Sequence, residues 1–327
     1  MILLSWLVQC LLILASVAFF TLFERKVIGL FHLRLGPNKV SIFGLVQPLL
    51  DGLKLFTKQN LVPLRANKFV YNLAPQLGLF LAFFVWLTLP NIYLIVSMNY
   101  SLVLFFCVGS VIVFSVLLSG WSSNSKYRLI GRLRSVAQSI SYESVFRTLI
   151  VILIILIFSY SIRSLFYQSS VLFLLFLPIW VVCTLAETHR APFDFSESES
   201  ELVSGFNTEY SGANFSLIFL SEYSVLLYSC FLLTYIFFMW ALPLNLVLII
   251  SLTCFFSFFF IWVRITFCRF RYDLLMMISW KILLPFVLCL FVILVPVIIL
   301  LSFSIIKYFS VTYSRCCLSR LNYKLVR

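Results

Sequence analysis

Between Phe69 and Ser125 the chain carries no Asp, Glu, Lys or Arg. A water-soluble domain takes roughly a quarter of its residues from the charged types, whereas this chain is 11% charged and 63% hydrophobic. Its mean hydropathy is +1.10. Such a chain cannot cover its own surface with polar groups. The composition excludes a soluble enzyme, a disordered tail, a collagen and a disulfide-stapled secreted module. An integral membrane protein remains.

A helix needs about 20 apolar residues to cross about 30 Å of hydrocarbon. Read on that scale, the sequence predicts an all-α membrane protein with about eight transmembrane helices, near 2–23, 69–89, 100–119, 136–160, 170–186, 215–238, 244–263 and 282–306. Pro90-Asn91 and Asn99 divide the long uncharged stretch, and Pro243 with Asn245 divides the one before Arg264. Residues 1–306 form one polytopic membrane domain in this reading, and 307–327 a basic tail. After the first span, Ser41–Asn60 sets Phe43, Leu45, Val46, Leu49, Leu50, Leu53 and Phe56 at three- and four-residue steps beside Asp51, Lys54 and Lys58. That pattern predicts an amphipathic helix lying at the interface.

Orientation follows from the basic residues. The loops after spans one, three, five and seven hold Arg25 through Lys68, Lys126 through Arg134, Arg190, and Arg264 through Lys281, whereas those after spans two, four and six hold only Arg163. The odd loops are expected on the cytoplasmic or matrix side. The tail, with Lys307, Arg315, Arg320, Lys324 and Arg327, falls on the opposite side. The net charge of +13 reflects 24 basic against 11 acidic residues and needs no nucleic acid to explain it. Nine cysteines are scattered without a C-x-x-C, so neither a metal site nor a disulfide framework is expected. No basic region precedes Ile2–Phe23, and Glu24-Arg25-Lys26 stops that run, so a removable signal is not expected. Phe occurs 37 times and Ala ten, a bias that fits an AT-rich organellar genome.

The acids are the sharpest chemical signal. Seven of the eleven, Glu187, Asp194, Glu197, Glu199, Glu201, Glu209 and Glu222, fall between 187 and 222, with Arg190 as the one Arg in that stretch. Like charges so dense cannot all stay ionised when shielded from water. Two readings are open: a proton relay, or a solvated acidic loop that docks a basic partner. Glu143 and Arg147 stand four residues apart within a span and share a helix face; a buried packing pair and a transport role both fit. Glu222 alone near the start of the sixth span favours a protonatable site. His32 and His189 are too far apart to suggest a metal, and no nucleophile elbow or phosphate loop occurs.

The motifs themselves carry a resemblance. Glu24-Arg25-Lys26-Val27-Ile28-Gly29, Leu33-Arg34-Leu35-Gly36-Pro37-Asn38, and Gly44-Leu45-Val46-Gln47-Pro48 with Asp51 and Lys54 through Lys58 come first. Gly120 through Tyr127 and Val136 through Glu143 follow, then Ala186-Glu187-Thr188, Arg190, Pro192-Phe193-Asp194, Glu199 through Asn207 and Glu209-Tyr210. Arg269 through Asp273 and Trp280-Lys281 close the series. In this order, across nearly the whole chain, they resemble the chain 1 family of mitochondrial NADH–ubiquinone oxidoreductases, the heel of respiratory complex I. Ser198 replaces a usual glycine, His189 a common Asn and Gln59 a common Glu; Arg128, Arg132 and Arg147 lie outside the pattern.

The resemblance implies a multi-pass chain of the mitochondrial inner membrane that takes part in NADH:ubiquinone reduction and proton translocation without a redox centre of its own. It implies ubiquinone as substrate, with Arg25, Arg34 and Asp51 at the quinone, and NADH, FMN and iron–sulfur clusters in other subunits. Glu143, Glu187, Asp194, Glu197, Glu199, Glu201, Glu209 and Glu222 become the expected proton relay. Arg190, Arg269, Arg271 and Asp273 become expected contacts with the hydrophilic arm on the matrix side. The implied partners are the quinone-module subunits, including the one with the terminal iron–sulfur cluster, the other membrane-arm subunits, and phospholipid. Two rivals are a homologous subunit of a bacterial complex or membrane hydrogenase, and a stand-alone proton-coupled secondary transporter. Such carriers often show two related halves, and no repeat is visible here.

Overall fold

The computed structural model describes residues 2–89, 99–157, 159–162, 172–194, 210–238 and 246–296. Glu197, Glu199, Glu201, Glu209 and the tail 307–327 lie outside these residues. The described chain is all-helical: α1 (Ile2–Phe31), α2 (Gln47–Thr57), α3 (Lys68–Trp86), α4 (Ser101–Ser122), α5 (Lys126–Ile157), α6 (Leu172–Glu187), α7 (Gly212–Phe238), α8 (Leu246–Thr266) and α9 (Tyr272–Pro296). Seven of these are long and apolar enough to cross a membrane, and α6 is a shorter apolar helix. A π-helical turn, Ile278–Leu283, lies within α9.

Three helices begin or end where charge alone would not place them. α1 runs past Glu24-Arg25-Lys26 to Phe31, because Glu24 finds cations inside the bundle and Arg25 pairs with Asp51. α5 begins at Lys126 and carries Arg128 and Arg132 on its buried side. α9 begins at Tyr272, with Asp273 in its first turn, where an acid suits the positive end of the helix dipole. α2 behaves as its pattern predicts. Gln47-Pro48 open it, proline being tolerated where the helix has no donor to lose. Its Leu49, Leu53 and Phe56 stay exposed, an apolar face for the interface.

α7 is the hub: it packs against α3, α8, α2, α1 and α6. The core it anchors includes Tyr228, Leu233 and Phe237, packed with Phe105 of α4, Phe146 of α5 and Trp180 of α6. Tyr228 stacks on Phe105 and its hydroxyl meets Thr88 Oγ1 at 2.6 Å. Two glycines permit close approaches. A Cβ at Gly120 would sit 2.2 Å from Arg132 Cγ, so the α4–α5 crossing needs glycine there. Gly212 has a φ of +57°, and a Cβ would lie 2.3 Å from Asn60 Oδ1.

Candidate functional site: an acid-lined cavity beside a buried charge cluster

Three polar groupings stand out among the described helices. The outermost joins α1 to α2. Arg25 Nη1 lies 2.6 Å from Asp51 Oδ2, and Gln47 Nε2 donates to Asp51 Oδ1 at 2.9 Å. Lys26 Nζ donates to the Phe43 carbonyl at 2.5 Å. Arg34 is exposed, and its backbone N–H closes the turn onto Gly29 O at 2.9 Å. Arg25 and Asp51 are therefore joined, while Arg34 forms no ion pair with Asp51 among the described residues.

The second grouping centres on Glu24, 4% exposed inside the bundle. Arg190 Nη1 lies 3.2 Å from Glu24 Oε1, Arg264 Nη1 bonds the same oxygen, and Tyr223 OH donates to Oε2 at 2.7 Å. The Arg190 guanidinium also stands 4.2 Å from the centre of the Tyr223 ring, within cation–π range. Burial alone would make Arg190 easier to deprotonate, but the facing Glu24 and Tyr223 outweigh it and raise its pKa. A charge this deep persists only when paired and hydrogen-bonded. Of the members, the sequence marks Arg190 by its acidic surroundings and Glu24 as the end of a span, and it does not single out Tyr223 or Arg264. The one local signal for the cluster is a single acid in an apolar N-terminal helix.

The third grouping is a cavity of about 90 Å³ enclosed by α3, α4, α5, the end of α6 and α7. That is room for several water molecules. Glu143, Glu187 and Glu222 reach its wall, with Arg132 and His189. Ser115, Ser119, Ser135, Ser139 and Ser221 line it too, while α3 supplies Ala74, Pro75 and Gly78. A second void of about 20 Å³ adjoins it and is bordered by Glu187, Tyr228 and Phe105. Glu143 accepts a bond from Arg147 one turn along α5, as the four-residue spacing predicts.

His189 has a φ of 51°, a conformation rare for residues with a Cβ. Its Nδ1 is buried with no hydrogen-bond partner among the described residues. Burial, then the nearby Arg132, push its pKa down to about 4, so the imidazole is neutral at pH 7.

The cavity and the Glu24 cluster are joined by single backbone steps. His189 lines the cavity while Arg190 binds Glu24, and Glu222 lines the cavity while Tyr223 binds Glu24. Arg190 also feels the Glu222 charge directly. The segment after α6 is pinned in place. Gln138 Nε2 donates to Ala186 O at 2.9 Å and to Phe193 O at 2.8 Å, and Phe193 stacks on Phe270 at 5.8 Å. Asp194 faces Arg269 at 3.8 Å. Arg271 and Asp273 pair with each other at 3.1 Å and are both largely exposed. Beyond residues 195–209, Tyr210 stacks on Tyr71 at 4.3 Å, and Arg128, fully buried, lies 4.0 Å over the Tyr210 ring. Burial raises the Tyr210 phenol, against the opposing pull of Arg128.

The NADH dehydrogenase family model matches residues 4–295. NADH-ubiquinone oxidoreductase chain 1 of Aedes aegypti is 46% identical over 284 residues, 85% of this chain and 90% of the relative. The chain 1 proteins of Heterololigo bleekeri and Trichosurus vulpecula are 44% and 40% identical, each covering more than nine-tenths of both chains. The relatives and the seven spanning helices make this a multi-pass subunit of complex I in the mitochondrial inner membrane. A buried ion cluster and an acid-lined cavity inside a helical bundle, on a sequence that aligns nearly end to end, leave one assignment: the chain belongs to the NADH-ubiquinone oxidoreductase chain 1 family.

Proposed function

We propose that this subunit admits ubiquinone between α1, α2, α7 and the segment after α6, and couples its reduction to proton movement through the acid-lined cavity. The observation that carries this reading is the one-residue separation of the two charge clusters. A change in charge at Glu24, Arg190 or Tyr223 moves a neighbour, His189 or Glu222, that lines the cavity. The relay then comprises Glu143, Glu187, Asp194 and Glu222, together with Glu197, Glu199, Glu201 and Glu209 from the acidic loop. Arg25 and Asp51, with Arg34 nearby in sequence, provide polar groups for a quinone head group leaving lipid. A long isoprenoid needs an apolar passage, and the exposed faces of α1 and α2 supply one side of it. Arg269, Arg271 and Asp273 then meet the hydrophilic arm from the α8–α9 connection, and Arg190 meets it indirectly through the buried Glu24 cluster. Electrons reach the quinone from the terminal iron–sulfur cluster of a quinone-module partner, and NADH and FMN belong to other subunits.

Two measurements test the reading. A photoreactive quinone should label segments within 20–60 or 190–230, and labelling confined to α8 and α9 contradicts the passage. Glu201→Gln keeps the side chain's size and removes its proton site. If the acidic loop is part of the relay, the assembled complex loses quinone reduction and pumping together. If the loop only docks a basic partner, the arm dissociates while any assembled complex turns over normally.

A further inference from the structure

Three arginines, Arg128, Arg132 and Arg147, stand outside the family motifs, and one of them is bonded directly to an acid of the cavity. Arg147 Nη2 donates to Glu143 Oε1; the Glu143 side chain is 13% exposed and that of Arg147 43%. Glu187, from the end of α6, reaches the same cavity wall, close enough to Glu143 for their charges to repel.

Among the described residues no cation lies within ion-pair distance of Glu187. Its neighbours Cys183, one turn back on α6, and Tyr228 of α7 bring no positive charge. Across the cavity, Glu222 of α7 acts on Arg190, and Arg132 of α5 acts on His189 and Tyr210. α3 and α4 contribute no charged side chain to the cavity. The nearest charges are therefore two carboxylates and one guanidinium; Arg147 bonds Glu143 and draws on Glu187 only from farther away, and Arg132 and Glu222 stand elsewhere on the cavity wall.

Two neighbouring carboxylates shielded from water cannot both stay ionised, and one proton is shared between them. A cation fixed on one member removes the symmetry of that sharing. Resting on the relay reading above, we infer that Arg147 is a positioning residue of the relay: bonded to Glu143, it leaves the resident proton on Glu187. The proton is thereby held where α6 meets both voids, next to the Glu187–Arg190 segment that leads to the Glu24 cluster. Removing the cation leaves two unpaired carboxylates, which then take up a second proton.

Infrared difference spectroscopy on the assembled complex in native membranes reads this directly, through the carbonyl band of protonated buried carboxylic acids and its shift in D2O. Glu187→Gln should remove one such band from the wild-type spectrum. Arg147→Met, similar in length but uncharged, should add a second band of about equal amplitude, and Arg147→Lys should restore the wild-type spectrum. A Glu187→Gln complex that keeps the wild-type band overturns the inference, as does an Arg147→Met complex with unchanged amplitude. Should Arg147→Met fail to assemble, Arg147→Gln takes its place in the comparison, with the same two outcomes. Pumping by the Glu187→Gln complex separates this inference from the reading it rests on. Loss of the band with full pumping supports the proton position and removes the relay. Loss of pumping with the band intact keeps the relay and overturns the role of Arg147.

Discussion

Glu24 should end an apolar helix, and it does not, because two guanidinium groups and a phenol meet its carboxylate inside the bundle. Tyr223→Phe keeps the ring beside Arg190 and removes only the hydrogen bond to Glu24. A hydrogen bond to a charged group contributes about 1.5–3 kcal/mol, so a lowered melting temperature of the assembled complex is expected. Glu24→Gln is the harsher change. It leaves two partly buried cations without a counter-charge, a loss of at most about 3–5 kcal/mol, the figure for a fully buried pair, and the yield of assembled complex should fall with it. At His189 the effect is on pH. Its pKa in the fold is about 4, against about 6.5 for an unperturbed imidazole. The unfolded chain therefore binds the proton more readily than the folded one. Stability is complete above about pH 6.5 and falls as pH drops towards 4, by at most about 1.4 kcal/mol per unit. His189→Asn removes this term, and melting followed across that window should decline less steeply. The contrast between pairs shows what sequence can disclose at this scale. Glu143–Arg147 was legible because four residues make one helical turn. Glu24 and Arg264 are 240 residues apart, and only tertiary packing joins them.

Among the elements, α7 is fixed at its start by the stretch that follows α2. Leu61 N–H donates to Ser211 Oγ at 2.8 Å, Ala213 N–H to Asn60 Oδ1 at 2.9 Å, and Asn214 meets Asn72 at 2.8 Å. With Arg128 over the stacked Tyr71 and Tyr210 rings, these contacts hold Tyr210 and the start of α7 against α3 and α5. Gly212→Ala forces a Cβ into this tie at a positive φ, where a side chain costs about 1–2 kcal/mol before any clash. Limited proteolysis at Lys58 and Arg65 should then be faster than in the wild type, while α8 and α9 stay protected. Span existence was legible from the uncharged runs, and α2 from its apolar spacing. Helix ends were less so. α1 and α5 extend through charged residues, which charge-based reading treats as stops, because burial among partners changes what a charge costs. The Arg128 contact has no local sign, since an arginine against two stacked tyrosines 139 residues apart is a purely tertiary arrangement.

For the whole molecule, the basic residues of the odd-side loops imply a matrix-facing surface formed by α2, the start of α5, the segment after α6 and the α8–α9 connection. With the hydrophilic subunits stripped from matrix-out inner-membrane vesicles, added protease should cut at the exposed Lys126, where α5 begins; cutting there only from the opposite face reverses the orientation. Two of these elements, α5 and the segment after α6, also line the cavity, which is where the proposed coupling acts. Glu222 tests that claim most directly. It lines the cavity, its neighbour Tyr223 holds Glu24, and Arg190 feels its charge. Quinone reduction and proton pumping should be measured together, per assembled complex, for Glu222→Gln. Coupling through the cavity predicts that both fall by roughly 100-fold or more, the contribution of a positioned proton-transfer group, with assembly preserved. Wild-type turnover with wild-type pumping in the assembled variant would contradict it.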